Sequence, residues 1–220
     1  MDALAEITRY QIRKCTRTGC GLRFPQANGA THSERCPRCG ASTRLILERP
    51  LEREALAGNK PTNGGKRVHL EVLLDNVRSA WNVGSIFRTA DGLGIQHLHL
   101  CGVTPTPDNP KVAKTSLGAE FNLPWHSYPD GLALAHTLIE QGYTLWALEQ
   151  DARAISLLDG TLRLPNGKLL LVVGNELAGV DPEILGLCEQ VVNIPMHGTK
   201  RSFNVAVAFG IAAYLLAHPK

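Results

Sequence analysis

No apolar run in this chain is long enough to cross a bilayer: the longest, Val205 to Leu216, falls short of the roughly 20 residues a spanning helix needs. The N-terminus lacks the basic-then-apolar pattern of a secretory signal, so a cytoplasmic protein with no membrane partner is expected. No internal repeat or low-complexity tract is visible. The G-x-G-x-x-G fingerprint of dinucleotide folds is also missing, because Gly92-Leu93-Gly94 falls at the end of a predicted helix, where the fingerprint must follow a strand and open one. An ordinary Rossmann dehydrogenase is thereby excluded.

What is present is a chain of 220 residues with a globular apolar content of 44%, enough for one ordinary domain and a small appendage. Its formal charge of +3 hides an asymmetry. Residues 1–67 carry 13 Lys/Arg and 6 Asp/Glu, whereas residues 68–220 carry 10 and 14. A basic appendage on an acidic body suits a polyanion, since Lys/Arg contacts to phosphate supply most sequence-independent affinity for nucleic acid. A solvated basic face without a partner would give the same count.

Four of the six cysteines, Cys15, Cys20, Cys36 and Cys39, follow C-x4-C-x15-C-x2-C. Without a secretory signal such pairs favour metal over disulfides, and two knuckles closing on tetrahedral zinc fit the spacing, with Pro37 and Gly40 at the turns. His32 is a rival ligand, but four cysteines complete the shell without it. A ribbon that no longer binds metal is the alternative.

The chain thus reads as a cysteine module over residues 1–50, a linker over 51–67 built on Gly58 to Lys66, and a larger domain over 68–220. In the larger domain, strands are expected at His69–Leu74, His97–Leu100, Thr144–Leu148, Leu169–Val173 and Val191–Ile194. Helices are expected at Asn82–Leu93 (closed by Gly94), Leu132–Gln141, Glu183–Leu187 and Val205–Ala217. The alternation predicts an α/β fold with a parallel sheet.

Three segments carry the candidate chemistry. In Asp75 to Asp91, the residues Asn82, Ser85, Arg88 and Thr89 recur at helical intervals opposite Val83, Ile86, Phe87 and Ala90. Read locally, Asn82 would cap the helix and Arg88 would pair on the surface. In Leu169 to Val180, a buried strand ends in Gly174-Asn175-Glu176, at the carboxyl edge where open parallel sheets bind ligands, and Gly174 would let a ligand approach the backbone. In Ile194 to Val205, a polar loop with Ser202 and Asn204 opens an apolar helix that Ser202 could cap.

Together these segments resemble the three signature motifs of the SpoU/TrmH branch of the SPOUT superfamily, in the same order and over about residues 68 to 217. Lys111 to Glu120 and Trp146-Ala147-Leu148 also look like the family. The resemblance implies an α/β domain with a C-terminal deep trefoil knot, a rare exception to the rule against knots. It further implies a homodimer that moves a methyl group from S-adenosylmethionine to a ribose 2′-hydroxyl of tRNA or rRNA. On the matching positions Asn82, Arg88, Glu176, Ser202 and Asn204 would be catalytic. Leu148, Gly174, Asn175, Ile194, Met196 and Phe203 would hold the cofactor, and Arg88 would act across the dimer. The family usually has Leu where this chain has Phe203, which keeps the wall apolar. Two other readings fit the same motifs: a zinc-ribbon RNA-binding scaffold with an inactive knotted domain, and a knotted RNA base methyltransferase.

Overall fold

The computed structural model describes residues 9–27, 34–50 and 68–219. The linker at 51–67 and His32 lie outside the described residues. The chain divides into two compact units, Met1–Gly64 and Gly65–Lys220.

In the first unit β1 (Arg9–Cys15), β2 (Arg23–Ala27) and β3 (Thr43–Pro50) form an antiparallel sheet in the order β2-β1-β3. Among the described residues of this unit only Cys15 and Cys36 are buried, while Leu45, Ile46 and Leu47 on β3 are exposed. So small a sheet cannot bury an apolar layer of its own, and its turns converge on the four cysteines instead. Gly40 adopts a left-handed φ of 70°, donating its N–H to the Cys36 carbonyl at 2.8 Å. That is the turn expected of it from the sequence.

The second unit has seven strands, all parallel: β4 (His69–Asp75), β5 (Leu98–Cys101), β6 (Trp125–Tyr128), β7 (Tyr143–Leu148), β8 (Ile155–Ser156), β9 (Lys168–Val173) and β10 (Gln190–Asn193). Their order is β6-β5-β4-β9-β7-β10-β8. β4 and β9 lie at the centre with both faces covered, which is why they read as unbroken apolar runs. On one face Leu70, Val72, Leu74, Leu169 and Leu171 pack with α1 (Ala80–Leu93) and α5 (Val205–Ala217) through Ile86, Phe87, Phe209 and Ala213. On the other Leu73, Leu145, Leu170 and Val172 meet Leu134, Leu138 and Ile184 of α3 (Gly131–Glu140) and α4 (Pro182–Leu187).

A seven-residue helix, α2 (Pro110–Ser116), leans on α1 at Gly84, where any Cβ would strike the Thr115 side chain and the Val112 carbonyl. Neither α2 nor the strands β6 and β8 was expected from the hydrophobic pattern. The other strands and α-helices of this unit fall within a residue or two of their expected limits. No helix among the described residues is long and apolar enough to cross a membrane.

Candidate active site

The carboxyl ends of β7, β9 and β10 open on a cavity of about 550 Å³, a volume suited to a nucleotide-sized ligand. Leu148, Gly174, Asn175, Ile194 and Phe203 line it, as do Glu176, Ser202 and Asn204. The second and third motif segments thus meet here with the end of β7, while the first motif contributes no lining residue and joins only through the hydrogen bonds of Asn82. Met196 is half-buried and is not among the lining residues, so its expected place in the cofactor wall is not supported.

One side of the cavity is fixed by a relay of three side chains. Glu176 accepts hydrogen bonds from the backbone N–H groups of Arg78 (2.9 Å) and Ser79 (3.0 Å) and from Asn82 Nδ2 (3.1 Å). Asn82 Oδ1 in turn accepts from Asn204 Nδ2 at 3.0 Å. Asn204 Oδ1 accepts from the N–H groups of Ala206 (2.9 Å) and Val207 (3.4 Å), so it is the cap of α5. The sequence reading gave that cap to Ser202, which is exposed and lines the cavity instead. Likewise Ser79, not Asn82, caps α1, through a 3.4 Å bond from the Asn82 N–H. The caps stand two and three residues from the alternatives, and relieving Asn82 of that task leaves its amide free for the relay.

Burial pushes the Glu176 carboxyl up, but the Arg78 and Ser79 N–H groups and the Asn82 amide outweigh it and hold the group below the usual carboxylate range. A carboxylate so satisfied is a poor proton acceptor. Its place at the start of α1 also complements the positive end of the helix dipole. Glu176 is therefore a positioning residue that pins α1 to the loop after β9 and orients Asn82.

Gly174 lines the cavity, and its lack of a side chain has a further cause besides the expected approach of a ligand. A Cβ there would collide with the backbone of Gly179 and Val180, which folds back to exchange two 2.9 Å hydrogen bonds with Asn175. Asn175 ties the same loop to the chain before α1, donating from Nδ2 to the Asn76 carbonyl at 2.6 Å. Sequence reasoning missed Glu149, which lines the cavity and accepts from the Val180 N–H at 3.1 Å, and Arg201, which lines it next to Ser202. A charged residue just past a strand or in a polar loop gave no signal of either role.

Arg88 stands apart. It is exposed on α1, does not line the cavity, and lies six residues beyond Asn82, about 120° around the helix and about 9 Å along it. It is thus not on the Asn82 face of α1, and the relay and Arg88 do not meet within one chain.

In the first unit the four sulfurs of Cys15, Cys20, Cys36 and Cys39 lie within 4.8 Å of one another, with Cys15 to Cys39 at 3.5 Å and Cys20 to Cys36 at 3.9 Å. Tetrahedral zinc with bonds of about 2.3 Å separates its sulfurs by about 3.8 Å, so the cluster fits that ion. All four are free thiols, too far apart for disulfides. The Arg17 N–H points at Cys15 Sγ (3.4 Å), as in a ligand-orienting shell.

A cavity at the carboxyl edge of a parallel sheet, walled by a hydrogen-bonded Glu–Asn–Asn relay, defines an α/β protein built to hold a small ligand beside polar groups that can act on a second one. Residues 69–214 match the SpoU rRNA Methylase family, and the chain belongs to that family. It is 35% identical over 147 residues to the tRNA (guanosine(18)-2'-O)-methyltransferase of Thermus thermophilus, covering 66% of this chain and 72% of the relative. It is 32% identical over 176 residues to the 23S rRNA (guanosine-2'-O-)-methyltransferase RlmB of Xanthomonas axonopodis, with coverage of 79% and 66%. Among solved structures it resembles an AdoMet-bound rRNA methyltransferase from Sinorhizobium meliloti, with a TM-score of 0.64 and 26% identity over 69% of this chain and 56% of that one. A TrmH-family protein from Porphyromonas gingivalis gives a TM-score of 0.61 and 30% identity over 71% and 62%. The chain thus spans about three fifths of each of those two solved chains.

Proposed function

We propose that this protein is a cytoplasmic RNA 2′-O-ribose methyltransferase, active as a homodimer on tRNA or rRNA with S-adenosylmethionine as methyl donor. The observation that carries the reading is the Glu176–Asn82–Asn204 relay closing one wall of the cavity. The relatives' names and the AdoMet-bound neighbour support it.

The donor supplies an electrophilic methyl group on a sulfonium. Leu148, Gly174, Ile194 and Phe203 give an apolar wall and close backbone for its adenosyl part, while Asn175 holds the loop that carries them. Ser202 and Asn204 face the ribose, and the relay keeps Asn204 from turning away. Transfer would join the ribose oxygen to the methyl carbon, break the methyl–sulfur bond and pass the hydroxyl proton to water. An arginine guanidinium is a permanent cation, so Arg88 contacts the phosphate and hydroxyl and stabilises developing alkoxide charge.

Because Arg88 lies away from its own relay, a second protomer must bring it there. α5 supports such pairing: Val207 and Tyr214 are 51% and 56% exposed on a helix apolar on nearly every side. In this reading the 194–204 segment and α5 form the trefoil knot, and the zinc-bound module is a basic clamp on the RNA.

The test is to incubate the protein with S-adenosylmethionine carrying a labelled methyl group and unmodified tRNA or rRNA, then digest to nucleosides. A labelled 2′-O-methylnucleoside is the expected product. Label on a base would indicate the base-methylating alternative, and RNA binding without transfer would indicate a scaffold.

A further inference from the structure

Six of the ten Lys and Arg residues after position 67 lie on α1 and α2, just before α1, or in the loop before α5: Arg78, Arg88, Lys111, Lys114, Lys200 and Arg201. The unit as a whole is acidic, so this concentration is local. Within it stands Trp81, on the first turn of α1 and next in sequence to Asn82 of the relay. Trp81 is 46% exposed, whereas Trp146 is buried in the sheet and Trp125 is partly buried against Phe87. Lys114, reaching over from α2, holds its ammonium 5.7 Å from the centroid of the Trp81 ring.

An indole so exposed contributes little to the core, and an ammonium beside it serves two ends. The cation is attracted to the ring and is also placed to meet a phosphate. On α1, Trp81 and Arg88 are seven residues apart, two turns or about 10 Å, and therefore share one stripe of the helix. A polyanionic strand running along that stripe meets an aromatic surface and then a guanidinium.

We propose that Trp81, with Lys114, is a stacking platform for an unpaired base of the RNA substrate next to the nucleotide whose ribose is methylated. Aromatic stacking combined with cations that track the backbone is how single-stranded nucleic acid is held without base-specific hydrogen bonds. The proposal rests on the RNA methyltransferase reading and adds to it the demand that the target region be unpaired. Trp81 is a positioning residue for the RNA, one step removed from methyl transfer.

The test uses the full protein with Trp81→Ala and Trp81→Phe. Titration with oligouridylate, an unpaired RNA, should quench tryptophan emission in the unaltered protein, and the quench should vanish in Trp81→Phe. Loss of one stacked base corresponds to roughly a tenfold to hundredfold loss of affinity. Trp81→Ala should therefore raise the KM for tRNA or rRNA by about that factor while kcat falls far less, and Trp81→Phe should restore most of it. S-adenosylmethionine affinity and the sedimentation of the dimer should stay unchanged. An unaltered RNA KM in Trp81→Ala overturns the proposal. So does a change in sedimentation, which would make Trp81 a contact between copies of the chain. If quenching and its loss are seen but no RNA is methylated, the platform stands and the catalytic reading fails. If methylation proceeds and Trp81→Ala matches the unaltered protein, the platform fails alone.

Discussion

The cysteine unit and the sheet unit hold their chains in place by different means. The sheet unit buries two apolar layers, one on each face of β4 and β9, whereas the described part of the cysteine unit buries only Cys15 and Cys36. Where burial cannot supply stability, four thiols at zinc distances can. The difference extends to charge: the small unit is net basic, whereas the large one is acidic overall and gathers six of its ten Lys and Arg around α1, α2 and the loop before α5.

Metal removal should separate the two most strongly. Zinc binding in comparable sites is worth about 10 kcal/mol or more, so chelation should unfold the β1–β3 sheet and leave the sheet unit's melting transition almost in place. Metal analysis, NMR of the module and calorimetry check this together. RNA affinity should fall with it while S-adenosylmethionine affinity does not; retention of the fold without metal would show that the thiols are not its anchor.

Within the sheet unit the largest effect is expected from Arg88→Ala. Methyl transfer should drop about 100- to 1,000-fold with cofactor affinity nearly unchanged, as for removal of one charge-stabilising donor. Single-turnover rates and binding calorimetry read the two quantities separately.

Acid should damage the sheet unit through a cluster at the other edge of the sheet from the cavity. Buried Glu71 accepts from Tyr143 Oη (2.6 Å) and lies against His99 Nε2 (2.8 Å) and His69 Nε2 (2.9 Å). Burial alone would raise its carboxyl, but His99, Tyr143 and His69 bring it down to about 2. Its contribution is present above the ordinary carboxylate value of 4.5 and is lost as pH falls toward 2. Burial, aided by the neighbouring His99, lowers His97 from 6.5 to about 4, so its neutral form adds stability that is lost as pH falls through that interval. Chemical denaturation at stepped pH should show stability falling from about pH 6.5 downward, with roughly 3 kcal/mol from Glu71 disappearing in the lower part. Glu71→Gln should flatten that lower part.

A smaller change is expected from Glu176→Gln, which keeps the shape of the side chain but gives up charge-assisted bonds to Arg78, Ser79 and Asn82. Because the group is exposed and solvent screens its charge, a loss of about 1 kcal/mol in stability follows. The pH dependence of kcat should keep its form, since the residue is not a base; a lost ionisation in that profile would reassign it to proton transfer.

How much of this is legible in the sequence follows from where the apolar residues sit. β4 and β9 announce themselves because both faces are buried. β6, Trp-His-Ser-Tyr, is a partly exposed edge strand, and α2 buries only Val112 and Ser116, so neither has a strong period. The motif residues could be listed, but their pairing could not. Nothing in spacing says that Asn204 caps α5 and also reaches Asn82, or that Gly174 is small for the sake of Gly179 and Val180. Glu149 and Arg201 look like ordinary solvated charges until the loops close.

The central structural claim is that the relay and Arg88 belong to one reaction although they stand apart in one chain. Mixing Arg88→Ala protomers with Asn204→Ala protomers tests it most directly, since each homodimer lacks one half of every site while a mixed dimer has one complete site. After subunit exchange, activity should return to roughly a quarter of the unaltered level, as random pairing in a two-fold dimer requires. If mass measurement shows that mixed dimers have formed and methylation does not recover, Arg88 does not act across the interface.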